Sequence, residues 1–304
     1  QVSWLSANQV QWLEPEDLAQ LETAQIKKLD VSQIQTSQLQ AMKYSQIAAL
    51  ESTQLEEIDI SKIVASQAKG LSTAQITALA EKVALLSNEV LGALTASQIQ
   101  AITPAGIGAL DENQLNALGK TQIAALEKEQ LEQIDATKFS ALGSKQLQAL
   151  SVKQMAFITP DQAGELSPSQ FSFLSAAQVG ALSAEAVENL KPENLALVTA
   201  IAIKNWSPEH IEKIDSDKIK IINTSAIAAL SAAQLEKVEI KDLENAQIQA
   251  LQPKQISSIK GEKIADLTND QLGLLSRSQV QALTNDQLAA LSDEQLEILG
   301  LKES

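Results

Sequence analysis

The stretch Leu-Thr-Ala-Ser-Gln-Ile-Gln-Ala, from Leu94 to Ala101, carries the pattern that decides the fold of this 304-residue chain. The pattern recurs as Leu-Ser-Ala-Asn-Gln-Val-Gln-Trp from Leu5 and as Leu-Ser-Arg-Ser-Gln-Val-Gln-Ala from Leu275. Its consensus is L-[S/T/D]-x-x-Q-[I/L/V]-x-A, and the sequence from Leu5 to Leu299 divides into 35 such units. Because a short fixed period is typical of repeat proteins, the sequence predicts one continuous array over residues 1–304, with no internal domain boundary.

Each unit contains the signals that start a helix. Position 2 is Ser, Thr, Asp or Asn in 23 of the 35 units, and position 5 is Gln in 21. A hydroxyl followed three residues later by Gln forms a capping box, and the apolar residues at positions 1 and 6 form a hydrophobic staple around it. All prolines fall at position 3, the first helical residue, where proline is best tolerated. They are Pro15, Pro104, Pro160, Pro168, Pro192, Pro208 and Pro253.

A single long helix does not fit this pattern. Eight residues turn an α-helix through about 800°, so the apolar stripe would move about 80° around the helix with each unit. Proline inside such a helix would also break it. The β alternative fails because Ala, Gln and Glu are abundant and no alternating pattern appears. Since very short helices are unstable alone, the sequence predicts an all-α superhelical solenoid with one short capped helix per repeat.

The position-8 residues suggest about three repeats per superhelical turn. Position 8 is usually Ala, but polar residues occupy it three units apart. Three octads per turn would place these side chains along one edge. They are Glu165, Asn189, Lys213, Lys237 and Asp266.

Four units depart from eight residues. Those at 29–41, 58–70 and 238–250 have thirteen residues, and the unit at 79–85 has seven. Each long unit is an octad plus five residues, with an extra apolar side chain: Val31, Ile60 or Ile240. We interpret the insertion as a bulge or added turn that adjusts the coil, and a recognition feature is the alternative.

Composition excludes several classes of function. The chain has no cysteine, which excludes disulfides, thiolate zinc sites and cysteine nucleophiles, and its one histidine excludes a multi-histidine metal site. With a net charge of −15 and one arginine, Arg277, it lacks the clustered cations that nucleic acid requires. No apolar run is long enough to span a bilayer. The sequence therefore predicts no enzyme, no catalytic residue, no cofactor or metal site, and no membrane-spanning segment.

A few residues still invite a chemical interpretation. His210 lies at position 5 beside Glu209, and we interpret it as a solvent-facing substitute for Gln rather than a general base. The acidic groups Glu14–Glu16–Asp17 and Asp215–Asp217 lie in the first turn of a helix, where acids are favourable. Neither has the spacing of a calcium loop. Calcium binding is possible in principle, but no motif supports it.

Most of the aromatic residues are expected in the core. Seven of them occupy positions 1, 6 or 8, whereas Tyr44 is at an expected surface position. The seven are Trp4, Trp12, Phe139, Phe157, Phe171, Phe173 and Trp206. The Thr-Asn-Asp triplets at Thr268 and Thr284 are expected helix caps.

The octads from Leu71 to Leu79 and from Leu283 to Leu291 read Leu-Ser-Thr-Ala-Gln-Ile-Thr-Ala-Leu and Leu-Thr-Asn-Asp-Gln-Leu-Ala-Ala-Leu. They resemble repeats of very large secreted or surface proteins of Gram-negative bacteria, often described as adhesins, haem-utilisation proteins or RTX-like proteins. The resemblance covers nearly the whole chain and implies an extracellular or cell-surface location. Because the chain opens mid-repeat at Gln1, we expect it to be a piece of something longer.

Two functions follow as expectations. The first is a structural repeat segment: a rod-like spacer, a stalk or a filament-forming region, with protein partners or self-association. The alternative is an α-solenoid scaffold that binds a protein or peptide, as adhesin- or toxin-associated solenoids would. Clustering of non-consensus side chains on an exposed patch would favour binding, and their scatter would favour a spacer.

Overall fold

The computed structural model describes residues 5–302, and it confirms the all-α solenoid of short helices. The α-helices are four to seven residues long, a few 3₁₀ helices accompany them, and the described residues contain no strand. Each of the seven prolines is the first residue of a helix, as predicted. The chain divides into two compact units, Gln1–Leu150 and Ser151–Ser304, and the uninterrupted array over residues 1–304 stays a prediction.

Unit 1 contains fifteen α-helices and three 3₁₀ helices within its described residues. The α-helices are α1 Ala7–Val10, α2 Pro15–Gln20, α3 Thr23–Ile26, α4 Thr36–Ala41, α5 Tyr44–Ala49, α6 Ser52–Glu57, α7 Thr73–Leu79, α8 Asn88–Ala93, α9 Ala96–Ala101, α10 Pro104–Ala109, α11 Glu112–Ala117, α12 Lys120–Ile123, α13 Lys128–Glu132, α14 Ala136–Ser140 and α15 Ser144–Ala149. The 3₁₀ helices are η1 Ile60–Lys62, η2 Ala65–Gly70 and η3 Ala80–Leu85.

Unit 2 repeats this arrangement within its described residues. Its α-helices are α16 Val152–Met155, α17 Pro160–Glu165, α18 Pro168–Ser172, α19 Ala176–Val179, α20 Ala184–Glu188, α21 Pro192–Leu195, α22 Ala200–Ile203, α23 Pro208–Glu212, α24 Ser216–Ile219, α25 Thr224–Ile227, α26 Ala232–Leu235, α27 Asn245–Ala250, α28 Pro253–Ile256, α29 Gly261–Ala265, α30 Asn269–Gly273, α31 Arg277–Val280, α32 Asn285–Ala290 and α33 Asp293–Ile298. One 3₁₀ helix, η4 Ile240–Asp242, precedes α27.

Helices stack on the helix three repeats earlier, so three repeats make about one turn of the coil. In unit 1, α10 packs on η3 and α13 packs on α10; in unit 2, α20 packs on α17 and α32 on α29. The apolar residues at positions 1 and 6 fill the interior, and Ile99, Ile107 and Leu110 are completely buried. Burying each such side chain contributes roughly 1.5–3 kcal/mol, which a four- to six-residue helix cannot obtain alone.

Each thirteen-residue segment consists of a five-residue turn followed by a complete octad. Helix α4 packs on both α2 and η1, so the five-residue turn takes one place in the coil. The extra apolar residues Val31, Ile60 and Ile240 are buried. The insertions therefore have a packing role, and each of them adds one more repeat position to the coil.

Ala80, in the seven-residue unit, is the one described residue other than glycine with a positive φ. Its φ of 47° and ψ of −125° join α7 directly to η3. A side chain is strained there, because this region of backbone space belongs to glycine. The missing residue of the unit is thus accommodated by a tight turn.

Candidate functional surfaces

In many repeats, the glutamine at position 5 links its coil turn to the preceding one. In α12, Gln122 Oε1 accepts a hydrogen bond from the N–H of Gly119 at 2.7 Å, which is the capping contact. Its Nε2 donates to the carbonyl oxygens of Leu91 and Leu94, at 2.7 and 2.9 Å, on the coil turn beneath. Gln122 is buried, and it satisfies two backbone groups that the short helices leave open, the N–H of Gly119 and the carbonyl of Leu94. It also adds a second donor to the Leu91 carbonyl, which already accepts the N–H of Leu94.

The same arrangement recurs through both units, and we call it the glutamine ladder. Its bonds to the preceding coil turn come from Gln38, Gln46, Gln54, Gln67, Gln75, Gln98, Gln114, Gln130 and Gln146 in unit 1, and from Gln234, Gln247, Gln255, Gln271, Gln279, Gln287 and Gln295 in unit 2. The cap hydroxyl is dispensable, since Gln67 accepts from the N–H of Val64 at 3.1 Å. The sequence predicted the capping contact but not the donation, although Glu, which also caps but cannot donate, is absent from position 5 of every octad.

Lysine replaces glutamine in three repeats and keeps the donating role. Lys138 Nζ donates to the carbonyl of Gly108 at 2.7 Å, and Lys263 Nζ donates to the carbonyl of Val238 at 2.9 Å. Lys218 donates to the carbonyl of Glu188 in the same way. At Lys138 the capping contact comes instead from Asp135. Hydrogen bonds from the N–H groups of Lys138 and then Thr137 hold the Asp135 pKa below its ordinary value.

His210 also occupies a rung of this ladder, together with Trp206. Its Nδ1 lies 3.1 Å from the Ser207 nitrogen, whose N–H it accepts, and its Nε2 lies 2.9 Å from the Leu182 carbonyl oxygen. The Trp206 indole stacks on the imidazole at 6.0 Å and donates to the Val179 carbonyl at 3.2 Å. The two rings together make the contacts that one Gln makes elsewhere. His210 thus replaces Gln as predicted, but it is half-buried rather than solvent-facing.

Asn194 is the shortest polar substitute in the ladder. Its Nδ2 donates to the Leu166 carbonyl at 2.9 Å, but its Oδ1 is the one buried side-chain atom among the described residues that lacks a hydrogen-bond partner. Asn is one methylene shorter than Gln, so the oxygen does not reach the N–H of the cap. Asn194 therefore makes the contact to the preceding coil turn but not the capping contact.

The acidic groups singled out in the sequence belong to helix starts. Asp215 accepts from the N–H groups of Asp217 and Lys218, at 3.0 and 2.8 Å, and Asp217 pairs with Lys220. Glu16 and Asp17 lie in the first turn of α2, which Glu14 precedes as the N-cap residue. Thr268 and Thr284 cap α30 and α32, as expected. Across residues 5–302, no group of three or more His, Cys, Asp or Glu side chains is arranged to hold a metal ion.

The aromatic residues at position 8 are not all in the core, and this expectation was wrong. Phe139, Phe171 and Trp206, at positions 1 and 6, are buried. Trp12 and Phe173, at position 8, are 75% and 40% exposed. Position 8 lies at the edge between coil turns, which suits Ala but leaves a larger side chain outside. Phe157 is half-buried, Tyr44 is exposed as expected, and Trp4 lies outside the described residues.

One edge of unit 2 carries ion pairs between successive coil turns. The helices α17, α20, α23 and α26 stack in one column. Along it the nitrogen–oxygen distances are 3.9 Å for Lys191–Glu165, 3.2 Å for Lys213–Glu188 and 2.9 Å for Lys237–Glu212. The hydrogen bond to Glu188 raises the pKa of Lys213 above its ordinary value. These contacts support the predicted edge of polar position-8 residues, except that Asp266 lies beyond this column and pairs with Lys241.

A second column of unit 2 contains three segments without a charged residue, and we call these segments the neutral strip. It comprises the segments 173–179, 197–203 and 221–227, which contain the stacked helices α19, α22 and α25. Each segment starts with a large apolar residue at position 8, and Phe173, Leu197 and Ile221 are 40–44% exposed. Ile201, in the middle segment, is 68% exposed. An open groove of about 200 Å³ lies between the first two segments, lined in part by Leu197.

Comparison with protein-family models finds no match for this chain, and comparison with curated proteins finds none either. Among the described residues, no helix combines the length and apolar character that crossing a bilayer requires. The interpretation of function therefore depends on the ladder and on the two edges of unit 2.

Proposed function

We propose that this chain is a structural repeat segment, a spacer, stalk or filament-forming region of a bacterial surface or secreted protein. The observation that carries the proposal is the glutamine ladder, which joins coil turn to coil turn by buried hydrogen bonds in both units. A linker of Gly and Ser bends freely because it makes no such bonds. A ladder of this kind gives a segment fixed dimensions that grow with the number of repeats.

Deleting one coil turn tests this role. We would remove residues 94–117, three complete octads of unit 1, and measure the distance between labels on cysteines placed at the exposed Lys43 and Lys120. A spacer should stay folded, show one narrow distance population, and shorten by one helix-packing distance, about 8–10 Å. A broad distribution, or loss of the fold on this in-register deletion, would contradict the proposal.

A protein-binding scaffold is the second candidate, and one observation favours it. Large exposed apolar side chains are isolated in unit 1 but concentrate on the neutral strip of unit 2. A contiguous apolar patch is typical of an interaction surface. The two roles differ in what they require of the neutral strip. Only a scaffold would need the strip for the activity of the whole protein.

A further inference from the structure

The neutral strip is an apolar part of unit 2 without charged residues of its own, bordered by the exposed Lys204 after its middle segment and by Lys220 before its last one. Its three segments repeat every 24 residues and contain no Asp, Glu, Lys or Arg. They expose Phe173, Leu197, Ile201 and Ile221 in a chain whose net charge is −15. Contact at any charged edge would bring like charges together or bury them, and both are unfavourable.

The column that contains the neutral strip has a charged residue beyond each end of the strip. Helix α16 packs below α19 and carries Lys153, whereas α27 packs above α25 and follows its cap residue Glu244. Lys153 and Glu244 are both exposed, and neither forms an ion pair within residues 5–302. The column thus runs from a positive end, over three neutral segments, to a negative end.

We propose that the neutral strip is a self-association surface, at which two copies of this chain pair side by side and antiparallel. This inference rests on the proposed structural role, and it names the partner. A two-fold axis through the middle segment, 197–203, places segment 173–179 of one copy against 221–227 of the other. It also places Lys153 of each copy near Glu244 of the second copy. A parallel pairing in register would instead oppose Lys153 to Lys153 and Glu244 to Glu244.

The size of the strip sets the strength of the pairing. Three segments separated by about 8–10 Å, with a charged contact beyond each end, make a patch a few tens of ångströms long. Such a patch falls in the class of small interfaces that bury less than about 1,200 Å² in total, which typically form reversible complexes. The dimer is therefore a weak one that depends on protein concentration or on the local density of chains.

Sedimentation equilibrium of the full chain tests the pairing and its charges. We expect a reversible dimer that Leu197→Glu abolishes, whereas Leu85→Glu, at a similarly exposed residue of unit 1, leaves it unchanged. Lys153→Glu should weaken the dimer several-fold, and adding Glu244→Lys should restore it to within about twofold. A chain that stays monomeric at all concentrations would overturn the proposal, as would a double variant that is weaker than either single one.

Cross-linking tests the orientation, because the chain has no cysteine of its own. Single-cysteine variants of Phe173, Ile201 and Ile221 would be treated with a short bis-maleimide, alone and in mixtures. The antiparallel dimer predicts 201–201 and 173–221 links. It predicts no 173–173 link, since those residues lie about 16–20 Å apart, two helix-packing distances. Equal yields of 173–173 and 173–221 links would overturn the antiparallel pairing.

The two proposals fail separately in these experiments. The deletion of residues 94–117 lies in unit 1 and leaves the strip untouched, so shortening without self-association would overturn the pairing alone. Self-association in a chain that does not shorten with its repeats would overturn the spacer and leave the surface in place.

Discussion

Replacing Gln122 with Glu is the most direct test of the ladder. Glu keeps the shape of the side chain and the oxygen that accepts the N–H of Gly119, which has no side chain with which to cap. It loses only the amide group that donates to Leu91 and Leu94. The substitution therefore separates the donating role from capping, which most other changes at position 5 would remove together.

The expected destabilisation follows from the loss of the amide donor, which leaves the Leu94 carbonyl without a partner, whereas the Leu91 carbonyl keeps the N–H of Leu94. A buried polar group that loses its only partner costs about 1–3 kcal/mol, so the Leu94 carbonyl facing a carboxylate implies a loss of about that size. Burial of the carboxylate raises its pKa above that in the unfolded chain, because desolvation disfavours the charged form. The stability of the Gln122→Glu variant should therefore recover as the pH falls through the folded-state pKa.

Urea unfolding followed by circular dichroism measures the loss, and hydrogen exchange locates it in α8 and α12. Gln9→Glu is the matched control, since Gln9 accepts the N–H of Ser6 at 2.9 Å while its Nε2 donates to none of the described residues. Its stability should change by less than about 0.5 kcal/mol. Equal effects of the two substitutions would refute the ladder as a source of stability.

Four other predictions follow from the structure. Trp206→Leu removes the indole donor from the Val179 carbonyl, which keeps only the N–H of Leu182, and should be destabilising. Adding His210→Gln should recover part of the loss in a double-mutant cycle; additivity would contradict the shared rung. Asn194→Gln completes a rung and should stabilise the chain by about 1 kcal/mol, measured by urea unfolding; an unchanged or lower stability would contradict it. Ala80→Gly relieves a strained backbone and should stabilise by about 1 kcal/mol, measured by thermal unfolding. Asp135→Ala removes a carboxylate whose folded-state pKa is lowered. The carboxylate stabilises the folded chain at neutral pH, and this contribution is lost as the pH falls below about 4. The free energies of unfolding of the variant and the parent should therefore become equal in acid.

The sequence predicts the helices, their starts and their stacking because those depend on local chemistry. A proline at position 3 and a hydroxyl at position 2 act within one turn of helix, so Pro104 and Thr103 indicate a helix start by themselves. The partners of Nε2 lie 25 to 31 residues earlier, and no local rule reveals them. The absence of Glu at position 5 was the available signal, since a capping box accepts Glu and Gln equally.

Position 8 was harder to interpret, because Ala and large apolar residues share it in the sequence. In unit 1 it is mostly Ala, and Ala101 accepts a hydrogen bond from Thr77 on the neighbouring turn through its carbonyl at 2.9 Å. An Ala at position 8 does not indicate whether the position lies in the interior of the coil or at its edge. Phe173 and Leu197 show that it is marginal, because the same backbone leaves their larger side chains in contact with water.

The octad positions have different roles, which explains how one fold can present edges of different chemistry. Positions 1 and 6 fill the interior and position 5 joins the coil turns, so substitutions there change stability. Position 8 is spared both tasks: Lys213 and Leu197 stand on neighbouring columns of the same unit, one in an ion pair and the other on the neutral strip. Changes at the edge leave the buried hydrogen bonds intact and should cost little stability. A surface can therefore be altered repeat by repeat without altering the fold that presents it.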